Sequence, residues 1–279
     1  MPEFGGQPGA APPQDRTMTG TLRYNLDLLY ELTKKEIKAR YKSSVLGYLW
    51  SLLNPLAMTM VFYVAFRVVL KIRLTESRWP FALFLITGLF PWQWFANSIS
   101  VCSNVYIVNA ALIRKVACRR ELLPLATVLN DLFHFLASIL VILAFLVSAG
   151  GTPSYRLIYG LPAFILAQLL LTYGLSLLVS SLNLFFRDLT HLIHVFLQML
   201  FYLTPILYDM EKIVEKSPRL AAWMKCNPVA PLMEGYRQLL LEGRLRMDLL
   251  GLSMLYGLIV LTIGWWVHSR LKWKFAEMI

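Results

Sequence analysis

The dominant pattern along the chain is a series of apolar runs separated by short polar stretches. Each run is long enough to cross a bilayer, which takes about 20 residues of helix. The pattern predicts an all-α integral membrane protein with six transmembrane helices. We place them at residues 45–70, 81–101, 126–149, 157–184, 189–208 and 249–268.

The composition supports a membrane protein and argues against a nucleic-acid partner. Hydrophobic residues make up 57% of the chain and charged residues only 15%, whereas about a quarter of a typical globular protein is charged. The net charge of +11 is concentrated at the edges of the apolar runs. Basic residues in such positions contact lipid headgroups and orient the helices. The expected partners therefore include membrane lipids and exclude nucleic acid.

The distribution of basic residues also predicts the orientation. They are richest before the first run, in the loop at 102–125 and after the last run. Because positive loops stay in the cytoplasm, we expect both termini to be cytoplasmic.

Two further segments are amphipathic. Residues 21–44 carry a helical stripe that includes Leu22, Leu26 and Leu29, and we expect this segment to lie at the cytoplasmic membrane interface. Residues 1–20 contain no apolar signal-peptide core and are expected to form a disordered tail. The extracytoplasmic segment at 209–248 contains two short amphipathic helices. It is either re-entrant or a cap on the outer surface, and the six-helix domain as a whole spans 45–279.

A hinge is predicted where the N-terminal amphipathic segment enters the first apolar run. Gly47 permits a bend, Trp50 follows it, and Asn54 precedes Pro55 inside the run. Proline in a helix interior removes a hydrogen bond and kinks the axis. The alternative is an ordinary kink without a mechanical role, since kinks have simple local causes.

Catalytic and metal-binding patterns are missing from the sequence. There is no G-x-x-x-x-G-K-[ST] run to hold ATP phosphates. His191 and His194 are three residues apart, but no Cys, Asp or Glu at matching spacing completes a metal site. We therefore expect no catalytic site, no metal and no cofactor bound by this chain.

Four ordered stretches carry a resemblance to a known family. They are EIKARYKSSVLGYLWSLLNP at 36–55, NAALIRKVACRRELLPL at 109–125, FFRDL at 185–189 and TPILY at 204–208. The chain resembles the permeases of type-2 ABC exporters, and within them the branch that exports lipid-linked polysaccharides such as O-antigens, capsules and teichoic acids. One departure is Cys118-Arg119, where the family usually has an aromatic-proline pair.

The resemblance implies the partners and the location. The chain would be a transport subunit of the bacterial cytoplasmic (inner) membrane that pairs with a second copy of itself. Two copies of a separate ATPase would bind ATP and Mg and supply the energy. The substrate would be a lipid-linked polysaccharide. Less favoured alternatives are an ABC permease for a drug or small lipid, and a membrane-embedded glycosyl or phosphoryl transferase.

Candidate site residues fall into three groups. The first would couple the chain to the ATPase, although loop charge alone could explain its basic members. The second would form the hinge and inner gate, the charged pair at 187–188 being either a brace or a topological anchor. The third would line the substrate pathway with aromatic rings, although each ring could instead belong to the core or the interfacial belt. Trp92 and Trp94 are expected in the interfacial belt. The coupling group is Asn109, Arg114, Lys115, Arg119, Glu121, Glu36 and Arg40; the gate group is Gly47, Trp50, Asn54, Pro55, Arg187 and Asp188; the pathway group is Tyr63, Phe66, Phe201, Tyr202 and Tyr208.

Overall fold

The fold is a bundle of α-helices. The structure, a computed structural model, describes residues 18–41, 49–71, 79–115, 119–186, 188–210, 217, 219, 224 and 226–275. Its helices are α1 Met18–Tyr41, α2 Leu49–Tyr63, α3 Phe81–Ser103, α4 Val105–Val108, α5 Ala110–Lys115, α6 Leu122–Ser148, α7 Leu157–Asn183, α8 Leu189–Leu203, α9 Ala230–Leu241 and α10 Met247–Leu271. A π-helical turn, Val64–Val69, continues α2, and a 3-10 turn, Lys272–Lys274, continues α10.

Within the described part of the chain, four helical segments are long and apolar enough to cross a membrane. They are Leu52–Val69, Leu122–Ser148, Leu157–Asn183 and Met247–Lys274. The apolar helix α8 is shorter, with 15 residues. The all-α class is therefore confirmed, whereas the six-span count stays a prediction.

Helix α8 ends earlier than the sequence pattern predicts. The fifth run was expected to continue to residue 208, but the helix stops at Leu203, and Thr204 adopts an extended conformation with ψ 139°. The residue before a proline avoids the helical region because the proline ring crowds its backbone. Pro205 therefore ends α8.

Helix α3 lies at the centre of the bundle. It packs against α2, α6, α7, α8 and α9, and a helix that is apolar on all sides is stable only when it is surrounded. Trp92 and Trp94 on this helix are 7% and 2% exposed. Trp94 Nε1 donates a hydrogen bond to Val128 O at 3.2 Å. Assigning both rings to an interfacial belt is therefore wrong, because they fill the core.

Helices α7 and α10 pack with their backbones in contact. A Cβ atom built at Gly264 would overlap the carbonyl oxygen of Gly174, and one built at Gly257 would lie 2.9 Å from Ala167 O. Small residues let membrane helices approach this closely. The two helices consequently form one tightly joined pair.

Helix α1 packs against α6, and only part of its predicted stripe is correct. Leu32 is buried and Leu28 and Leu29 are partly buried against the same apolar cluster. Leu26 is exposed. The buried face is thus rotated from the predicted one, because α1 meets the start of α6 and helix α4 instead of a flat surface.

The bundle has two distinct ends. The end that carries α1, α4, α5 and the 3-10 turn is called the α1 end here, and the opposite end is called the α9 end. Helix α9 is buried between α3, α7 and α10. Its Tyr236 ring lies 5.5 Å from both Phe135 and Phe164, so α9 reaches well into the bundle.

Candidate coupling and transport site

The predicted hinge lies on α2. Pro55 is buried within the helix, while Trp50 and Asn54 are exposed. Thr59 Oγ1 donates a hydrogen bond to Pro55 O at 2.8 Å, which adds a side-chain bond within the turn that follows the proline. Gly47 lies outside the described residues.

The structure adds a second irregularity to α2 that the sequence did not predict. The π-helical turn at its end closes with Leu70 N donating to Ala65 O at 2.9 Å, five residues back. Lys71 then has a φ of 52°, a left-handed conformation that redirects the chain. π-helical turns of this kind are rare and often lie at functional sites.

Aromatic rings join α2 to α8 at the predicted pathway. Phe62 stacks on Phe66 with 6.2 Å between ring centroids and on Phe201 with 5.9 Å. Phe201 also contacts Trp92 at 5.6 Å. The two helices predicted to line the pathway are therefore neighbours. The ring that joins them, Phe62, was missed because it resembles any other apolar residue of the run.

The rings of the pathway group differ in exposure. Tyr63 and Tyr202 are exposed, whereas Phe201 is buried. The Tyr208 hydroxyl donates to Tyr202 O at 2.9 Å and ties the chain after Pro205 back to α8. The exposed rings are the ones that a passing molecule could touch.

The predicted coupling loop contains the short helices α4 and α5, with buried Asn109 between them. Asn109 Nδ2 donates to Val105 O at 3.0 Å, and its Oδ1 accepts from Lys35 Nζ at 3.4 Å. Lys35 therefore connects α1 to the loop. On the outside of the loop, Arg114 is exposed and Val108 is 78% exposed.

The remaining coupling residues divide between the surface and the interior. Arg119 is exposed, and Glu36 is half-buried on α1. Glu121 is half-buried and points inward. The side chains of Arg40 and Lys115 lie outside the described part of the chain.

Glu121 faces a histidine near the end of α10. Its Oε2 lies 3.8 Å from Nε2 of buried His268, and its backbone carbonyl accepts a hydrogen bond from the Tyr173 hydroxyl at 3.3 Å. The His268 imidazole lowers the pKa of the Glu121 carboxyl, despite the opposing effect of partial burial. The hydroxyls of Tyr106 and Ser181 lie 3.3 Å and 3.0 Å from His268 Nδ1. One imidazole on α10 thus contacts the loop, through Glu121 and Tyr106, and α7, through Ser181.

The chain after α10 packs against the same loop. Phe275 is fully buried, with its ring centroid 5.2 Å from that of Tyr106 and 5.6 Å from that of His268. Arg120 Nη1 donates to Lys272 O at 2.5 Å. Residues 272–275, called the C-terminal strap here, therefore lock the loop to α10. The sequence marks this segment as a basic and aromatic stretch, KWKF at 272–275, but does not indicate its contact with the loop.

A polar contact at the α1 end joins α7 and α8 to the start of α4. Asn104 Oδ1 accepts hydrogen bonds from Asn183 Nδ2 at 3.2 Å and from Thr190 Oγ1 at 3.3 Å. Of the pair predicted to brace this region, Asp188 is exposed and Arg187 lies outside the described residues. Sequence inspection favoured the charged pair and missed these neutral side chains.

Polar residues at the α9 end bind the chain segment that follows the end of α8. Arg237 Nη2 donates to Ile206 O at 3.1 Å, and its Nη1 lies 3.2 Å from Glu234 Oε2. The guanidinium sits 3.8 Å from the centroid of the Phe84 ring. Asn227 Nδ2 donates to Thr204 Oγ1 at 2.8 Å. The chain around Pro205 is thus fixed by α9 and the turn before it.

Among the described residues, no group of three His, Cys, Asp or Glu side chains is arranged to hold a metal ion. His194 instead has its Nδ1 3.4 Å from Ser100 Oγ.

This architecture defines a polytopic helical membrane protein with polar junctions at the two ends of its bundle. The profile of the ABC-2 type transporter family matches residues 27–241. The chain belongs to this family and is a transport subunit.

Several characterised proteins are similar over most of the chain. The O-antigen export system permease protein RfbA of Klebsiella pneumoniae is 39% identical over 266 residues, covering 94% of this chain and all of the relative. The protein of the same name from Myxococcus xanthus is 32% identical over 78% of this chain and 82% of its own. The polysialic acid transport protein KpsM of Escherichia coli is 21% identical over 82% and 88%.

Proposed function

We propose that the chain is the permease subunit of an ATP-driven exporter that carries lipid-linked polysaccharide across the bacterial cytoplasmic membrane. The similarity to O-antigen export permeases carries this proposal, because it extends over 94% of the chain and over the whole of the relative. A relative in polysialic acid transport is consistent with a long glycan as the cargo.

The α1 end would face the cytoplasm. The basic loops at 102–125 and after α10 belong to this end, as the positive-inside rule requires. Both termini would then be cytoplasmic, α1 would lie along the inner membrane interface, and α9 would enter the membrane from the outside. Backbone at membrane depth needs internal partners, and the contacts of α9 with the core supply them.

Energy would come from a separate ATPase, in two copies that bind ATP and Mg, docked on the α4–α5 loop. Val108 and Arg114 lie on the exposed side of this loop and are suited to an apolar and a charged contact. Asn109 and Glu121 point inward and would hold the loop against the permease. The predicted coupling residues would thus divide into docking residues and positioning residues.

Movement of the loop would be transmitted by two connections. Lys35 carries it to α1, and from there to the hinge around Pro55. The Glu121–His268 pair and the C-terminal strap carry it to α10 and its tightly packed neighbour α7.

The pathway would form between two copies of the chain, along α2 and α8. Both helices expose broad apolar faces, which a second copy and lipid would cover. Exposed Tyr63 and Tyr202 would offer ring faces and hydroxyls to passing sugars. A conduit works when each contact is weak and repeated, so that the polymer keeps moving.

The direct test is a deletion of the gene in its own host, followed by complementation. We expect surface polysaccharide to disappear and lipid-linked polymer to accumulate inside, as in a parallel deletion of the partner ATPase. Wild-type chain should restore export. Normal surface polysaccharide in the deletion strain would contradict the proposal.

Docking is tested by co-purification with the ATPase. Val108→Asp and Arg114→Ala should each lower the amount of ATPase recovered, because they alter the exposed side of the loop. The control is Arg270→Ala, which removes another exposed arginine of the α1 end outside the loop. If both loop variants recover as much ATPase as the Arg270→Ala control and the wild type, the loop is not part of the docking surface.

A further inference from the structure

An open pocket at the α9 end is not explained by any role assigned so far. It has a volume of about 730 Å³ and lies between the start of α3, the turn joining α6 to α7, and the end of α9. Its lining includes Trp79, Thr152, Ser154, Tyr155, Arg156 and Glu242. The volume falls in the range of about 300–1,000 Å³ that small-molecule sites occupy.

The walls of this pocket are fixed by close backbone packing. Arg156 Nη1 donates to Gly243 O at 3.2 Å, and Gly243 has a φ of 63°, which favours glycine. A Cβ atom at Gly243 would lie 2.7 Å from Ser154 Cβ, and one at Gly151 would lie 2.7 Å from Trp79 Cη2. Glycine at both positions therefore brings the polar and aromatic lining together in a preformed arrangement.

The lining combines aromatic rings with hydrogen-bonding groups. Tyr155 is 69% exposed, and Trp79, just before α3, also lines the pocket and packs against Gly151. Thr152 and Ser154 supply hydroxyls, and Glu242 supplies a carboxylate that accepts hydrogen bonds. A sugar ring needs this combination, because it has an apolar face and a rim of hydroxyls.

The charges distinguish a sugar from a phosphate. Phosphate groups and anionic lipid headgroups are bound by clusters of arginine and lysine. Among the described residues, the lining contains one cation, Arg156, and one anion, Glu242. The Glu242 carboxylate is paired with Arg244, whose Nη1 lies 3.5 Å from its Oε2. Arg156 already donates to a backbone carbonyl and lies over the Tyr155 ring at 5.7 Å. Because Arg156 and Arg244 are both engaged within the protein, the described lining lacks the free cation cluster that a phosphate needs, whereas an uncharged sugar can bond to the Glu242 carboxylate and the hydroxyls.

We propose that this pocket binds uncharged sugar units of the exported polysaccharide on the exit side of the membrane. The inference rests on the proposed function, which supplies the polysaccharide and the orientation. Weak binding beside the exit would hold the emerging glycan and oppose its return, without stopping its movement.

The experiment measures binding to the full chain in complex with its ATPase, reconstituted in lipid nanodiscs. The probe is the host's surface polysaccharide, freed of lipid by mild acid and followed by saturation-transfer NMR. We expect Tyr155→Ala and Thr152→Val to raise the Kd about fivefold, the size expected for losing one such contact. The matched control is Tyr159→Ala, an exposed tyrosine one turn further along α7 that does not line the pocket.

Each outcome decides the inference. Unchanged binding by both pocket variants, with melting temperatures equal to that of the wild type, would overturn it. Displacement of the probe by phosphatidylglycerol vesicles but not by additional free glycan would assign the pocket to lipid instead. Export that survives gene deletion defeats the proposed function itself. Export that needs the chain, combined with unaltered binding by the variants, defeats this site alone.

Discussion

The packing of α10 on α7 predicts a graded response to alanine at three glycines of one helix. Gly251 has open space around it, a Cβ at Gly257 would lie 2.9 Å from Ala167 O, and one at Gly264 would overlap Gly174 O. Ordinary contact begins at 3.4 Å. Gly257→Ala therefore demands a shift of about 0.5 Å, and Gly264→Ala demands a larger one.

Two opposing effects set the size of each change. Alanine improves helix propensity over glycine by about 1 kcal/mol, and overpacking costs about 1–3 kcal/mol or more. At Gly251 only the first effect acts, so the variant should be as stable as the wild type or up to about 1 kcal/mol more stable. At Gly264 the clash is with backbone, which cannot turn aside. We expect a net loss of about 2 kcal/mol or more there, and an intermediate value at Gly257.

The free energy of unfolding of the purified chain is measured in mixed micelles by denaturant titration, with tryptophan fluorescence as the signal. The same ordering should hold for export in cells, because α10 links the coupling loop to α7. If Gly264→Ala unfolds at the same denaturant concentration as Gly251→Ala, the close approach of the two helices is refuted.

Three further predictions concern the junctions at the two ends. The pKa of the Glu121 carboxyl is lowered, so the ionised carboxyl stabilises the fold. This contribution should be complete above the ordinary carboxyl pKa and be lost as the pH falls through the lowered pKa. Glu121→Gln should therefore make the melting temperature fall less on acidification. Arg237→Leu leaves the partly buried Glu234 carboxylate without its cation and should cost about 3 kcal/mol in denaturant titration, while Arg237→Lys should cost less. Phe275→Ala should release the C-terminal strap, which limited proteolysis would detect as faster cleavage after α10, and should lower export more than ATPase binding.

The sequence predicts the long helices well because their signal is local. Helices α6, α7 and α10 begin and end within a few residues of the apolar runs that predict them. Where prediction failed, a local conformation or a distant neighbour decided the outcome. Pro205 shortens α8 through the backbone of Thr204, and the core of the bundle takes up Trp92, which composition alone would place at an interface.

The candidate site was predictable in its location but not in its connections. The sequence singled out Glu121 as a coupling residue, yet its neighbour His268 lies on another helix far along the chain. The same holds for Arg120 and Lys272. Spacing rules report neighbours within one helix, whereas these pairs exist only after the bundle has formed.

Helix α10 connects the two ends of the molecule physically. It begins close to the pocket at the α9 end, near Gly243. It ends at the C-terminal strap, which Arg120 holds against the predicted coupling loop. Its 25 residues form a rod of roughly 37 Å, and the glycine contacts fasten it to α7 along its length. In the proposed exporter, a displacement of the loop would therefore be transmitted to the opposite end by the α7–α10 pair as well as by the predicted hinge of α2. The α2 hinge alone would move the pathway wall, but a rigid rod ending beside the pocket would move the exit at the same time.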